Sequence, residues 1–196
     1  MIVPAIGKHV NLEGRKIKHT STFKIVLIAL FAALVCVATM LIQIPIPATG
    51  GYANLGDGVI LVCSYLISPL YAVIGAGLGS MLADLLAGYA SFALGTLVIK
   101  AGVALIATLI FNRFGRNART TSRLVSMIVG AVLAEAFMVL GYFVYEAVFM
   151  GFGIGAAGSI PGNIGQGVVG VIIGCVLAPI LQRSREVTEL MDRTRK

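Results

Sequence analysis

Five charged residues interrupt long apolar runs, and these are the positions at which the sequence could do chemistry. They are Asp57, Asp84, Lys100, Glu135 and Glu146. A charged side chain near the centre of a bilayer costs about 2.5–3.5 kcal/mol or more, so such residues face a bundle interior or a watery cavity. The sequence therefore predicts an inward-facing polar site.

Two of these charges are expected at the same depth. Lys100 lies 13 residues before Arg113, and Glu135 lies 12 residues after Arg123. At 1.5 Å per helical residue, both lie about 18–20 Å from the basic boundary. We therefore predict a Lys100–Glu135 ion pair, and leave open whether it fixes helix register or contacts a ligand.

Polar and aromatic residues extend this site towards one end of the bundle. Glu135, Tyr142 and Glu146 share one helical face at i, i+7 and i+11. The remaining candidates, expected near the outer helix ends, are Asp57, Asp84, Tyr89, Asn163 and Gln166. Together they predict a cup that suits a small, weakly charged heterocycle with hydroxyl groups. Tyr142, like its neighbour Tyr145, has an alternative interpretation as an interface-belt aromatic.

Enzyme chemistry has little support in this sequence. Both histidines, His9 and His19, precede the first apolar run, and no glycine-rich phosphate loop with lysine occurs. The three cysteines have no metal or redox spacing and are expected to pack as apolar groups. We predict no catalytic residues, no metal and no cofactor, so any active transport must use an ion gradient or a partner.

The composition indicates a membrane protein. Of 196 residues, 58% are hydrophobic and 12% are charged, whereas soluble chains have about 45–50% apolar and about 25% charged residues. The net charge of +7 is assigned to orientation in the bilayer and not to nucleic acid binding. The predicted fold class is an all-α, polytopic membrane protein in one domain.

Basic clusters set the predicted topology. With the exception of Lys100, all Lys and Arg residues lie in the segments 8–24, 113–123 and 183–196. If all three segments are cytoplasmic, an even number of membrane crossings must separate each pair of them. This requires two crossings within the stretch 55–88, and Ser68-Pro69 supplies the break between them because proline disfavours a continuous helix. The prediction is six transmembrane helices over about 25–46, 55–68, 70–88, 90–112, 124–148 and 160–182. Segment 1–24 is then a basic cytoplasmic segment, 25–182 the transmembrane domain and 183–196 a cytoplasmic tail, so both termini are cytoplasmic.

Small residues recur at four-residue spacing, which lets helix backbones approach closely in lipid. Gly75 with Gly79, and Gly170 with Gly174, predict contacts within the bundle. Ala29, Ala32 and Ala33 form a smooth patch near the cytoplasmic end of the first helix. This patch is expected to pack either against a second helix of the bundle or against a partner protein.

Several segments carry a family resemblance. They are 54–57 (NLGD), 75–89 (GAGLGSMLADLLAGY), 99–102 (IKAG), 141–146 (GYFVYE) and 160–166 (IPGNIGQ). In order and spacing they resemble the substrate-binding S components of energy-coupling factor (ECF) vitamin transporters, in the riboflavin-transporter-like group. The resemblance covers roughly residues 25–182.

The resemblance implies a division of labour. Such a chain would capture vitamin from outside and topple against a transmembrane coupling subunit driven by two ATPase subunits, in a prokaryotic plasma membrane. Ala29 and Ala33 match the family's AxxxA docking signature. The Asn54/Asp57 loop and the Tyr89 loop would close over substrate. The pocket would be lined by Lys100, Glu135, Tyr142, Glu146, Asn163 and Gln166.

The group's ligands include hydroxymethylpyrimidine, pyridoxine-type vitamers, riboflavin and cobalamin, and the absence of tryptophan favours the smaller rings. The alternative is a secondary transporter coupled to an ion gradient, in which Lys100, Glu135 and Glu146 would relay protons. Inverted repeats would favour that alternative, but 25–112 and 124–182 differ in span number.

Overall fold

The computed structural model describes residues 13–194, with side chains from residue 22 onward. This part of the chain is mostly helical, as predicted. Its α-helices are α1 (Glu13–Leu41), α2 (Gly56–Leu66), α3 (Pro69–Leu86), α4 (Ala90–Ile110), α5 (Thr120–Val144), α6 (Ile160–Leu181) and α7 (Arg185–Thr194). Of the predicted terminal segments, residues 1–12 and 195–196 lie outside the described residues.

Five helical stretches in the described chain are long and apolar enough to cross a membrane. They are Thr22–Leu41, Pro69–Leu86, Ala90–Gly115, Thr120–Phe149 and Gly153–Leu181. The second predicted span, 55–68, corresponds to α2, which has 11 residues and is therefore about 16 Å long, about half the thickness of a hydrocarbon core. The predicted break at Ser68-Pro69 is present, because Ser68 is extended and α3 begins at Pro69.

A β-hairpin between α1 and α2 departs from the all-α prediction. Strand β1 (Gln43–Ile46) pairs antiparallel with β2 (Gly51–Asn54), so α1 ends at Leu41 and not at residue 46. Pro45 and Pro47 explain the difference, since proline disfavours helix at the residue before it and supplies no amide donor. Gly50 closes the turn at φ +71°, a conformation that glycine adopts without strain.

Close helix contacts occur where the small-residue rows predict them. A Cβ on Gly75 would lie 2.2 Å from the Phe31 ring, and one on Gly79 would lie 2.4 Å from the Ala32 carbonyl oxygen, so both glycines seat α3 against α1. On the other side of the bundle, Gly174 contacts Leu61 in the same way and seats α6 against α2.

Two π-helical segments and one 3-10 segment extend the long helices. Phe111–Gly115 continues α4, Tyr145–Phe149 continues α5, and Gly153–Ser159 is a 3-10 segment that leads into α6. The predicted tail contains α7, whose Met191 is buried in the hydrophobic core.

Candidate substrate-binding site

A polar cavity lies beneath the hairpin, at the end of the bundle where α3, α4, α5 and α6 converge. Its lining residues are Thr39, Ile46, Gly51, Tyr52, Asn54, Ser80, Asp84, Phe92, Thr96, Lys100, Tyr142, Glu146 and Asn163. Six of them are among the ten predicted site residues. The cavity measures about 20 Å³, which is room for about one water molecule.

The deepest charge in the cavity is paired, but not with the predicted partner. Lys100 Nζ donates to both carboxylate oxygens of Asp57 at 2.7 Å. The two side chains are 1% and 0% exposed. The predicted Lys100–Glu135 pair is therefore wrong: equal depth along two helices does not determine which neighbour faces the ammonium group.

Asp57 is held in place by a relay from the hairpin. Gln166 Nε2 donates to Asp57 Oδ2 at 2.6 Å, while Gln166 Oε1 accepts from the backbone N–H of Asn54 at 2.7 Å. Asn54 Oδ1 in turn accepts from the Gly56 amide at 2.9 Å, at the start of α2. The predicted loop residues Asn54 and Asp57 thus connect the end of the hairpin to the ion pair, and Asp57 lies in the first turn of α2, where a negative charge is favourable.

Glu135 lies beside this network without joining it. Its side chain is 5% exposed, and neither carboxylate oxygen has a hydrogen-bond partner among the described residues. A Cβ on Gly170 would lie 3.0 Å from Asp57 Cβ and 3.1 Å from Glu135 Oε1, so this glycine lets α6 pass over both acids. Glu135 therefore faces α6 and the ion pair, below the cavity.

Tyr142 faces the cavity, which favours the pocket interpretation over the interface-belt one. Its hydroxyl lies 3.0 Å from Thr96 Oγ1, and its ring centroid lies 5.4 Å from Lys100 Nζ. A cation at this distance from a ring is attracted by its π face. The aromatic ring and the ion pair therefore form one continuous inner wall.

Two carboxylates tie the hairpin to the helices. Tyr52 OH donates to Asp84 Oδ1 at 2.6 Å, and Thr49 Oγ1 donates to Glu146 Oε1 at 3.0 Å. Burial, reinforced by Asp84, raises the pKa of the Tyr52 phenol, so this group stays protonated and donates. Asp84 Oδ2 is buried and has no partner in the described structure, while Ser159 binds the second oxygen of Glu146.

Tyr89, the other predicted loop residue, packs against the hairpin through a tilted ring contact with Tyr52. The Tyr52 and Tyr89 ring centroids are 4.5 Å apart. Asn163 is buried and lines the cavity from α6. Nine of the ten predicted residues thus lie in the cavity wall, in the hydrogen-bond network behind it or in the Tyr52–Tyr89 ring pair, and the tenth, Glu135, is buried beside that network.

Sequence reasoning missed neutral residues of the wall, notably Tyr52 and Thr96, and it missed Thr49, which donates to Glu146 from the hairpin turn. Thr96 precedes Lys100 by four residues and so shares its helix face, a signal that could have identified it. Tyr52 and Thr49 gave no such signal, because their position depends on the hairpin.

The predicted docking alanines separate into two groups. Ala29 and Ala33 are exposed on α1 and line an apolar groove with Leu78, Leu82 and others. Ala32 is 7% exposed, and its backbone packs on Gly79. Ala32 also lines this groove, so it lies both in the groove and in the α1–α3 interface.

Among the described residues, no group of three or more His, Cys, Asp or Glu side chains is placed to hold a metal ion. The wall of the cavity presents charges, amides, hydroxyls and aromatic rings. Such a wall can orient a small polar ligand through hydrogen bonds and ring contacts.

Comparisons with known proteins give consistent matches. The family model described as ECF-type riboflavin transporter, S component, matches residues 19–183. The thiamine precursor transporter HmpT of Lactococcus lactis subsp. cremoris is 31% identical over 162 residues, covering 82% of this chain and 89% of HmpT. An uncharacterized protein of Pyrococcus woesei is 41% identical over 149 residues, covering 76% of this chain and 95% of its own.

The fold also has a solved counterpart. The S component of a bacterial ECF transporter superposes with a TM-score of 0.63 at 21% identity, covering 82% of this chain and 96% of that one. At this identity the likeness concerns the fold alone.

Proposed function

The chain belongs to the family of S components of ECF-type riboflavin transporters, and on that premise we propose that it captures a thiamine precursor of the hydroxymethylpyrimidine type. The cavity beneath the hairpin is the proposed binding site. The substrate class is inferred from two buried carboxylates, Asp84 and Glu146, that accept hydrogen bonds from the hairpin, together with the aromatic inner wall of the cavity. The hairpin is called the lid below.

The chemistry of the wall suits an aminopyrimidine. An exocyclic amino group donates hydrogen bonds, and Asp84 Oδ2 is a buried acceptor without a partner. Ring nitrogens accept, and the Asn163 amide on α6 can donate to them. Phe92 and Tyr142 supply flat apolar surface for the ring. Resemblance to the thiamine precursor transporter HmpT supports the same ligand class.

Ligand entry requires the hairpin to open. The cavity of about 20 Å³ is smaller than any vitamin precursor, and the hairpin is held by Tyr52–Asp84 and Thr49–Glu146. A ligand that offers hydrogen-bond donors to Asp84 and Glu146 replaces these lid contacts with its own. Lid opening and substrate recognition are therefore coupled through the same two carboxylates.

The charge network behind the cavity keeps the wall in place. Lys100, Asp57 and Gln166 join α4, α2 and α6, and Gln166 also holds the end of the hairpin through the Asn54 amide. This arrangement supports a mainly structural role for the Lys100–Asp57 pair, with the ligand contacting the outer face of Lys100.

Delivery is proposed to depend on partners. The exposed Ala29–Ala33 face of α1 is the proposed contact with a transmembrane coupling subunit, and two ATPase subunits would supply the energy. The proposed topology has six crossings with both termini cytoplasmic in a prokaryotic plasma membrane, with α2 as the short crossing. The basic segment 113–123 and the glycine-rich segment 151–158 would then lie on opposite sides.

Binding by the purified chain tests the substrate. Isothermal titration with hydroxymethylpyrimidine, pyridoxine, riboflavin and cobalamin should show tight one-to-one binding of the pyrimidine, weakened about tenfold or more by Asp84→Asn. Tighter binding of another vitamin would reassign the substrate.

Uptake tests the energy source against the ion-gradient alternative. Cells carrying this chain should accumulate the pyrimidine only when coupling and ATPase subunits are also present, and a protonophore should leave initial rates unchanged while ATP is maintained. Uptake by the chain alone that the protonophore abolishes would favour a secondary transporter.

A further inference from the structure

A second groove lies at the opposite end of α4 and α5 from the hairpin. Its apolar lining includes Ile110, Phe114, Val125, Val129 and Leu133, and hydroxyl groups of Thr121 and Ser122 lie at its edge. The groove faces outward, since Phe114, Val125, Val129 and Leu133 are all exposed large apolar residues. It takes no part in the substrate cavity.

Four arginines without acidic partners fall in the segment 113–123, which also carries the groove residues Phe114, Thr121 and Ser122. Arg113, Arg116, Arg119 and Arg123 fall within 11 residues, and no Asp or Glu occurs between Asp84 and Glu135. In the described part of the chain, the ion pairs within 4.0 Å are Lys100–Asp57 and Arg185–Glu189. None of the four guanidinium groups therefore has a carboxylate partner among the described residues.

Two of the arginines contact aromatic rings, of which one, Phe114, lines the groove and the other, Phe111, is buried in the hydrophobic core. The Arg113 guanidinium carbon lies 5.3 Å from the centroid of Phe114, which lines the groove. The Arg123 guanidinium carbon lies 5.7 Å from the Phe111 centroid, and its Nε is buried with no hydrogen-bond partner in the described structure. A guanidinium group whose orientation is fixed by a ring contact is suited to bidentate hydrogen bonds with a phosphate.

The groove has the length of one acyl chain in one leaflet. Along α5, Thr121 and Leu133 are 12 residues apart, which corresponds to about 18 Å, while half of a hydrocarbon core is about 15 Å. Positive charge at one end and apolar surface along this length match an amphiphile with an anionic head and a hydrocarbon tail.

We propose that this groove binds an anionic phospholipid, with the phosphate at Arg113 and Arg119 and one acyl chain against Val125, Val129 and Leu133. The positive charge of the arginines favours an anionic headgroup, and the apolar groove favours a headgroup that carries an acyl chain. Under the proposed topology, the site faces the cytoplasmic leaflet, where anionic lipids attract basic segments.

Native mass spectrometry of the purified full-length chain with dioleoyl phosphatidylglycerol and dioleoyl phosphatidylcholine tests the proposal. The wild type should bind phosphatidylglycerol about 10- to 30-fold more tightly, since each basic residue near an anionic surface contributes about 1 kcal/mol and about 1.4 kcal/mol is a factor of ten. Equal binding of the two lipids would overturn the proposal.

Matched variants locate the site. Arg113→Gln with Arg119→Gln should abolish the preference, whereas Arg183→Gln with Arg185→Gln, an equal charge change elsewhere, should keep it. Val129→Trp should block the groove, whereas Ile128→Trp, exposed on the same helix but outside the groove, should not. If the two charge variants or the two tryptophan variants behave alike, the site is not this groove.

Two further arms separate other occupants. Glycerophosphoglycerol, the headgroup without chains, should not compete with the lipid, and effective competition would contradict the acyl component. If the wild type shows no lipid preference but the Arg113/Arg119 variant fails to join ATPase subunits, the arginines form a protein interface and the lipid proposal is wrong.

Discussion

The substrate cavity and the exposed face of α1 differ in nearly every physical property. The cavity is enclosed, polar and cross-linked by hydrogen bonds from four helices and a hairpin. The α1 face is open and apolar, with Ala29 and Ala33 beside Leu78 and Leu82. Under the proposed function, the cavity holds a small polar ligand, and the apolar groove on α1 receives a helix of a partner subunit. The comparison therefore predicts that binding and delivery can be impaired separately.

The largest effect is expected at the buried ion pair. Lys100→Met strands the Asp57 carboxylate, and breaking such a pair typically costs about 3–5 kcal/mol. We expect a large loss of thermal stability in detergent, with recovery in Lys100→Met combined with Asp57→Asn. The same substitution combined with Glu135→Gln should give no recovery, and recovery there would restore Glu135 as the partner.

A large effect on delivery alone is expected on the α1 face. Ala29→Trp with Ala33→Trp adds bulk where a partner helix must approach, so coupled uptake should fall by about 100-fold or more. Ligand affinity of the purified variant should stay within about twofold of the wild type, as titration calorimetry would show. Leu30→Trp, exposed on another face of α1, is the control, and uptake that survives the double change would remove the docking assignment.

A smaller effect is expected at the lid. Tyr52→Phe removes a hydrogen bond to the Asp84 carboxylate, and bonds to charged groups are worth about 1.5–3 kcal/mol. We expect ligand dissociation, followed by stopped flow, to become about tenfold faster while the fold stays stable. Tyr71→Phe, a buried tyrosine on α3 away from the cavity, should leave the rate unchanged, and a Tyr52→Phe rate equal to the wild type would show that the hairpin is not the lid.

The smallest effect on stability is expected at Glu135. Neither of its oxygens is bonded within the described chain, so Glu135→Gln removes no hydrogen bond and should change the unfolding free energy by less than about 1 kcal/mol. Thermal unfolding of Glu135→Gln and Asp57→Asn, measured under the same conditions, compares the stability lost in each variant. Equal destabilisation by the two neutral replacements would show that Glu135 shares the ion-pair network.

How far the sequence determines this site depends on the kind of residue. Lys100, Asp84 and Glu146 were predictable because a charge inside an apolar run has to face inward. The partner of Lys100 was not, since a depth count along α4 and α5 cannot show that the first turn of α2 reaches the same point. The choice of Asp57 depends on α2 being short and beginning inside the bundle.

The fold shows the same division between local and tertiary information. Apolar runs and Ser68-Pro69 predicted the long helices and the start of α3. The hairpin was missed because its eight strand residues were read as the end of one helix and a loop, although Pro45 and Pro47 favour extended chain. The spacing of Ala29, Ala32 and Ala33 likewise does not show that the backbone of Ala32 packs on Gly79 of α3.

Titration of hydroxymethylpyrimidine into the purified wild-type chain, with no other subunit present, tests the central claim most directly. The account predicts one-to-one binding by this chain alone, weakened about tenfold or more by Asp84→Asn and unchanged by Ala29→Trp with Ala33→Trp. Absence of binding until a coupling subunit is added, or binding that Asp84→Asn leaves unaltered, would contradict it.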